Sequence, residues 1–206
     1  MNNNLIIVFV RSPELGKVKT RLARSIGDQS ALNIYKILLK HTAAVLRDLS
    51  FDKVVYFSEK IDNNDFWENS LFEKKLQKGA DLGERMHHAF DTAFNKGYKK
   101  VLIIGSDLFD LTSSLITSAF EALETYDISI GPSLDGGYYL LGMKKLQPEV
   151  FKNKKWGTDS VLENTLQDLK KQKIKLLKAL NDIDTLEDLQ QQPKLLYNIL
   201  NYDASH

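Results

Sequence analysis

The chain has 206 residues, 43% hydrophobic and 27% charged, with a formal net charge of +1. This is typical of one globular domain spanning 1–206, which excludes a fibrous or disordered chain and predicts no capture of nucleic acid or anionic membrane. The absence of cysteine excludes disulfides and thiolate metal sites, and the lack of a signal-like segment predicts a cytoplasmic protein.

Strand-like and helix-like segments alternate in the first half of the chain. Apolar runs at 5–10, 54–57 and 101–104 predict buried strands. Apolar residues at helical spacing predict a helix within 31–46 and another at 86–94, which Gly97 ends, and an acidic, Asn-rich loop is expected at 62–65.

The same alternation continues to the end of the chain. A helix is predicted at 115–123, strands at 128–130 and 138–143, a helix at 161–169 and a strand at 174–177, before two short closing helices. The sequence therefore predicts an α/β fold, a single-domain three-layer α/β/α sandwich with a mostly parallel sheet. Ligands bind such sheets at the carboxyl ends of the strands, so the loops after Val10, Ile104 and Ile130 are expected to converge.

The loop after the first strand is basic. Its cations can meet phosphate oxygens together with backbone N–H groups at a helix start. The candidate nucleotide-binding residues here are Arg11, Gly16, Lys17, Lys19 and Arg21. It is not a P-loop, because Val18 stands where Ser or Thr would follow Gly-Lys. An ordinary basic surface loop is the alternative.

Gly105-Ser106-Asp107 follows the predicted strand at 101–104. A carboxylate at a strand end can hold Mg²⁺ or Mn²⁺ against a diphosphate. Asp107 is the candidate metal ligand and Ser106 is expected beside the nucleotide. The alternative is that Asp107 caps the helix that follows.

Two further acidic motifs have structural alternatives. Asp135-Gly136-Gly137 is a typical hairpin turn, but its glycines also allow a substrate to approach the backbone beside a carboxylate. Asp184 is a second, weaker candidate for the metal, and it is equally explained as a helix cap with Glu187 completing a capping box.

Other site types are excluded by the motifs that are missing. The sequence has no His-Glu-x-x-His zinc helix, no Gly-x-Ser-x-Gly nucleophile elbow and no Gly-x-Gly-x-x-Gly after its first strand.

Six stretches, in this order, resemble a bacterial family of GT-A-type glycosyltransferases related to nucleotide-diphospho-sugar transferases, some of them associated with arsenosugar biosynthesis. The matching stretches lie at 9–22, 81–86, 103–107, 131–140, 156–158 and 182–185. One departure concerns the residues after Asp107: the family commonly has Cys-Pro there, whereas this chain has Leu108-Phe109.

The resemblance implies a role for each motif. The first loop would surround the phosphates, Asp107 would hold the metal, and the base or ribose would lie near Asp81, Leu82 and Gly83. The acceptor or sugar would lie near Gly136, Gly137 and Trp156.

The leading hypothesis is a metal-dependent glycosyltransferase that uses a nucleotide-activated sugar, a small-molecule acceptor and Mg²⁺ or Mn²⁺. Asp135 and Lys17 are its candidate catalytic residues, Asp135 as the base that deprotonates the acceptor. A nucleotidyltransferase acting on a nucleoside triphosphate, similar to phospholactate guanylyltransferase or to the molybdenum cofactor guanylyl- and cytidylyltransferases, is the alternative. A nucleotide-binding protein without turnover is the third. The sequence does not fix the oligomeric state.

Overall fold

A computed structural model describes residues 2–61 and 65–196 of the chain. Its centre is one seven-stranded sheet, in the order β3-β2-β1-β4-β6-β5-β7. The strands are β1 (Asn4–Val10), β2 (Asp52–Phe57), β3 (Glu73–Leu76), β4 (Lys100–Ile104), β5 (Ile128–Pro132), β6 (Tyr138–Met143) and β7 (Ile174–Leu176). Only β6 pairs antiparallel, with β4 on one side and β5 on the other.

Helices cover both faces of this sheet. They are α1 (Thr20–Ile26), α2 (Asp28–Arg47), α3 (Leu82–Asn95), α4 (Ser113–Thr125), α5 (Val161–Asp168) and α6 (Leu186–Gln190), with a 3₁₀ turn at Pro148–Phe151. None of the described helices is long and apolar enough to cross a bilayer. The predicted α/β sandwich with a mostly parallel sheet is confirmed, while the predictions of one domain over 1–206 and of a cytoplasmic location stay predictions.

Side-chain alternation along the strands creates two separate cores. Ile6 and Val8 of β1 pack with α2 and α4 on one face, whereas Leu5 and Ile7 pack with α3 on the other. Successive side chains of a strand point to opposite faces of the sheet, and both faces are buried here. A central strand is therefore a continuous run of hydrophobic residues. A third cluster joins α1 to the outer side of α2 and to the buried Ile183.

One strand and one α-helix were not predicted from the sequence, and neither was the 3₁₀ turn at Pro148–Phe151. β3 consists of Glu-Lys-Lys-Leu, which lacks apolar alternation, and it forms only because β2 offers it a parallel edge. α1 begins where the predicted basic loop ends, in a stretch for which no helix was predicted, and its buried residues are Leu22 and Ala23.

The helix cap predicted at Asp184 is wrong. Thr185 is the residue that caps α6: its hydroxyl accepts from the Asp188 N–H, and the Asp188 carboxylate accepts from the Thr185 N–H. The capping box is therefore one residue later than predicted, and Glu187 takes no part in it. This shift leaves the Asp184 carboxylate available for other partners.

The alternative helix cap at Asp107 is also wrong, because Thr112 caps α4 by accepting from the Leu115 N–H. Gly97 follows α3 with a φ of 94°, as predicted for a residue that ends a helix. Of the two predicted closing helices, α6 is present and residues 193–196 are helical, while 197–206 lie outside the described residues. The loop predicted at 62–65 also falls largely outside them.

The predicted α3 stripe is confirmed in its central residues. Met86, Ala89, Phe90 and Ala93 are buried, and Phe94 is partly buried. The Phe90 ring packs 6.2 Å from the ring of Phe94 and 5.7 Å from that of Phe151, measured between centroids.

We expect Phe90→Ala to lower the free energy of unfolding by about 3–5 kcal/mol, because the fully buried ring leaves a cavity. Urea denaturation of the wild-type and variant proteins measures this difference. The partly exposed Phe94, changed to Ala, is the control and should lose less. A loss below about 1 kcal/mol for Phe90→Ala would contradict the assigned packing.

Candidate active site

The candidate site is a cleft at the carboxyl ends of the parallel strands. The loop after β1, the loop after β4 and the loop joining β5 to β6 all line it, as predicted. The cleft has two parts that share Phe9, Leu82, Gly105, Asp107, Asp135 and Gly157.

We call the first part the polar half. It has a volume of about 470 Å³. Besides the shared residues, it is lined by Val10, Arg11, Val18, Lys19, Thr20, Arg21, Tyr35, Ser58, Gln77, Arg85, Ser106 and Asp184. Four of these side chains are cationic, against three carboxylates that line the same half, Asp107, Asp135 and Asp184, so positive charge is in slight excess.

The second part, the apolar half, has a volume of about 240 Å³. Besides the shared residues, it is lined by Met86, Ile103, Ile104, Ser133, Gly137, Tyr138, Tyr139, Trp156, Thr158, Val161 and Asp182. Aromatic rings beside a few carboxylates and hydroxyls are a surface that suits a small polar molecule with an apolar face.

Lys19 and Asp107 form the central ion pair of the cleft. The Lys19 Nζ lies 2.9 Å from Asp107 Oδ2 and 3.6 Å from Asp184 Oδ1, and the Lys19 side chain is only 5% exposed. Burial alone would lower the pKa of Lys19, but Asp107 and Asp184 outweigh burial and raise it. Burial acts to raise the pKa of Asp107, yet the Lys19 ammonium holds it below its usual value.

The backbone places these charges side by side. β1 and β4 pair in parallel, with Val8 opposite Ile104, so the loops after them leave the sheet together. The Ile183 N–H donates to the Asp107 carbonyl at 3.1 Å, which brings the flanking Asp182 and Asp184 to the same point.

Tyr35 of α2 fixes the first loop against the loop after β4. Its hydroxyl accepts from the Arg11 N–H at 2.9 Å, donates to the Arg11 carbonyl at 3.2 Å, and lies 3.4 Å from Ser106 Oγ. Burial raises the pKa of Tyr35, so the hydroxyl keeps the proton that it donates.

Asp182 is a further acidic residue of the apolar half. Ser133 Oγ donates to its Oδ1 at 2.6 Å. Burial first, and then the negative charge of Asp107, raise the pKa of Asp182. Asp135, by contrast, is exposed, and its Oδ1 accepts from the Gly137 N–H at 2.9 Å within the hairpin turn.

The structure brings most of the predicted site residues to the cleft. Those that line it are Arg11, Lys19, Arg21, Leu82, Ser106, Asp107, Asp135, Gly137, Trp156 and Asp184. Those that do not line either half are Gly16, Lys17, Asp81, Gly83 and Gly136.

Lys17 is engaged outside the cleft. Its Nζ lies 2.7 Å from Glu14 Oε2 and 3.7 Å from Glu59 Oε2, and its side chain is 59% exposed. Hydrogen bonds from Lys17 and Lys60 lower the pKa of Glu14 to about 2. The catalytic role of Lys17 stays a prediction, and its described contacts do not favour it.

The other residues outside the cleft support its walls. Asp81 caps α3 by accepting from the Glu84 N–H at 2.8 Å. A Cβ on Gly83 would lie 2.3 Å from the Phe151 carbonyl oxygen and 2.7 Å from Trp156, so only glycine lets the indole approach α3. Gly136 has a φ of 88°, which suits the hairpin turn.

Sequence reasoning missed several residues that line the cleft. They are Phe9, Tyr35, Ser58, Gln77, Arg85, Ser133 and Asp182. Asp182 lies two residues from Asp184 in a motif that had been noticed, so its acidity was a usable signal. Tyr35 gave no such signal, because it fits the apolar stripe of α2.

We expect Tyr35→Phe to weaken the binding of inorganic pyrophosphate and to cost about 1–3 kcal/mol of stability, because the Arg11 N–H loses its partner. Tyr98→Phe is the matched control: it removes a hydroxyl that donates to Asp52 Oδ2 at 2.8 Å, and neither residue lines the cleft. Calorimetric titration with pyrophosphate, beside urea denaturation, measures both effects. Equal pyrophosphate affinity in the two variants would refute the positioning role of Tyr35.

Comparison with solved structures gives a full-length match with substantial identity. A proposed nucleotide-diphospho-sugar transferase from Desulfovibrio desulfuricans G20 is 31% identical, with a TM-score of 0.90, over 100% of this chain and 96% of that one. The fold and the family resemblance expected from the sequence are thus confirmed.

More distant solved structures share the fold alone. The 4-diphosphocytidyl-2C-methyl-D-erythritol synthase from Anaerococcus prevotii DSM 20548 is 12% identical, with a TM-score of 0.59, over 94% of this chain and 96% of that one. The inositol-1-phosphate CTP transferase from T. maritima is 18% identical, with a TM-score of 0.55, over 95% of each chain.

No curated protein matches the chain. A family model described as "Uncharacterized protein conserved in bacteria (DUF2064)" matches residues 41–158, which is more than half of the sequence. With the full-length likeness to the Desulfovibrio protein, this shows that the chain belongs to the DUF2064 family.

Proposed function

We propose that this protein is a metal-dependent glycosyltransferase that uses a nucleotide-activated sugar and transfers the sugar to a small-molecule acceptor. The observation that carries the proposal is the two-part cleft, in which the polar half, with its cations, and the apolar half, with its aromatic rings, meet at Asp107 and Asp135. A nucleoside diphosphate suits the first half, and a sugar with its acceptor suits the second. The full-length likeness to the proposed sugar transferase of Desulfovibrio supports the same assignment.

The polar half provides the cationic groups that a leaving diphosphate needs. Arg11, Lys19, Arg21 and Arg85 line it, and cations aimed at developing negative charge stabilise a transition state. The exposed pair of Arg21 Nη1 with Asp184 Oδ2, at 3.1 Å, is weak enough to exchange for a phosphate contact.

The acidic residues around Lys19 fit a divalent metal. Asp107 and Asp184 converge on one nitrogen atom, and carboxylates together with phosphate oxygens and water are the donors that Mg²⁺ and Mn²⁺ take. Among the described residues no group of three His, Asp or Glu is close enough to hold a metal. The diphosphate is therefore expected to complete the ligand set, and the metal would neutralise its charge on departure.

Asp135 is the proposed base. It lies where the two halves meet, which is where the bond to the transferred sugar would be, and its exposed carboxylate is able to accept the proton of an acceptor hydroxyl.

A nucleotidyltransferase is the second candidate. The specific observation in its favour is the number of cationic side chains in the polar half, because four match the charge of a triphosphate at least as well as that of a diphosphate.

The residues after Asp107 do not distinguish a transferase of either kind from a nucleotide-binding protein without turnover. Leu108 is buried in the core, and the Phe109 ring packs 5.0 Å from that of His41.

We expect nucleoside diphosphate sugars with Mn²⁺ to raise the melting temperature, since a ligand at 100 times its Kd adds about 2.7 kcal/mol of stability. A panel of sugar nucleotides and nucleoside triphosphates, with and without metal, provides the measurement. Stabilisation by triphosphates alone would instead support nucleotidyl transfer. Binding that is indifferent to metal would support a protein without turnover.

We expect Asp135→Asn to lower kcat at least a hundredfold while leaving the affinity for the sugar nucleotide nearly unchanged, since general base catalysis contributes about 10²–10⁴-fold. Asp159→Asn removes an exposed carboxylate that does not line the cleft, and it should behave as wild type. Turnover and donor binding are measured separately. A variant at Asp135 that keeps wild-type kcat would exclude it as the base.

A further inference from the structure

Lys19 lies between Asp107 and Asp184, the two carboxylates that are proposed to hold a metal. Its ammonium is 2.9 Å from one carboxylate and 3.6 Å from the other. One small region between two carboxylates cannot hold an ammonium and a divalent cation together, because the two positive charges repel at close range.

The chain holds Lys19 in this position at a cost. Its φ of 49° and ψ of 43° lie in the left-handed region, which is unusual for a residue other than glycine. Lys19 is also the residue before the first turn of α1, where an ammonium cannot accept a backbone N–H, and its side chain extends to Asp107. Strain of this kind persists where surrounding contacts hold a residue in place, and it is concentrated at functional sites.

A phosphate group offers Lys19 a second partner. Lys19 lines the polar half, which Arg11, Arg21 and Arg85 also line. Its flexible four-carbon side chain has three N–H donors, so it can move to a phosphate oxygen without a change in the backbone. Once it moves, both carboxylates face the space that the ammonium has left.

We propose that Lys19 is an internal cation that blocks the metal site until a phosphate ligand draws it away, so that the metal and the nucleotide bind with positive coupling. The proposal rests on the proposed function in placing phosphate in the polar half and a metal at Asp107 and Asp184. Coupling of this kind must be reciprocal: phosphate raises the affinity for metal by the same factor by which metal raises the affinity for phosphate.

The first test measures Mn²⁺ binding to the full chain without any phosphate ligand. Lys19→Met keeps the length of the side chain and removes the charge. We expect it to bind Mn²⁺ at least tenfold more tightly than wild type, measured by the electron paramagnetic resonance signal of free Mn²⁺. A folded Lys19→Met protein with wild-type Mn²⁺ affinity would overturn the proposal.

Arg21→Ala is the matched control. It also removes one positive charge from a partner of Asp184, but the Arg21 side chain is 60% exposed and makes no described contact with Asp107. We expect less than a threefold change in Mn²⁺ affinity for this variant. If Arg21→Ala tightens Mn²⁺ binding as much as Lys19→Met does, the effect is general electrostatics and the proposal fails.

A second measurement needs no change at Lys19 and is still able to refute the proposal if that variant does not fold. Wild-type protein is titrated with Mn²⁺ in the presence and absence of inorganic pyrophosphate, with correction for the Mn²⁺–pyrophosphate complex in solution. We expect pyrophosphate to raise the Mn²⁺ affinity at least tenfold, and Asp107→Asn to abolish that gain. Equal Mn²⁺ affinity with and without pyrophosphate would overturn the proposal.

These results separate the two proposals. If pyrophosphate raises the Mn²⁺ affinity but no nucleoside diphosphate sugar stabilises the protein, the proposed sugar donor is refuted and the proposed role of Lys19 is not. If a nucleoside diphosphate sugar stabilises the protein but pyrophosphate leaves the Mn²⁺ affinity unchanged, the proposed role of Lys19 is refuted and the sugar donor is not.

Discussion

The parallel pairing of β1 with β4 is the constraint on which the cleft depends. It makes the first loop and the Gly105–Asp107 loop leave the sheet at the same edge, one strand spacing apart. Without that pairing, Lys19 and Asp107, which are 88 residues apart in sequence, would have no reason to meet. The Ile183 N–H bond to the Asp107 carbonyl then adds the acidic segment near the end of the chain. Three distant parts of the sequence thus supply one cluster of charge.

Much of the fold was predictable because the sheet is buried on both faces. Central strands of this kind are continuous apolar runs, and β1, β2 and β4 each contain one. The edge strand β3 was not predictable, since its charged residues form a strand only when β2 is present to pair with them. α1 was not predictable from periodicity, because it has few buried residues and no long apolar stripe. Those few residues pack on α2 and Ile183.

The site was predictable in its chemistry more than in its contacts. Spacing and position led to Asp107 and the basic loop, but they did not distinguish Lys17 from Lys19. These lysines are two residues apart and have opposite environments: the Lys19 side chain is buried beside Asp107, whereas Lys17 lies in solvent beside Glu14. Asp184 was ambiguous because both a helix cap and a metal ligand suit an acidic residue before a helix. The capping box at Thr185 excludes the cap, and the metal role of Asp184 stays a prediction.

The antiparallel strand β6 has a consequence for the width of the cleft. It lies between β4 and β5, so the ends of those two parallel strands are separated by twice the usual interstrand distance, about 10 Å. If β4 and β5 were neighbours, their loops would close over the sheet edge and fill the space that Tyr138 and Trp156 now border. One reversed strand therefore acts as a spacer: it leaves room for the apolar half of the cleft beside the polar half.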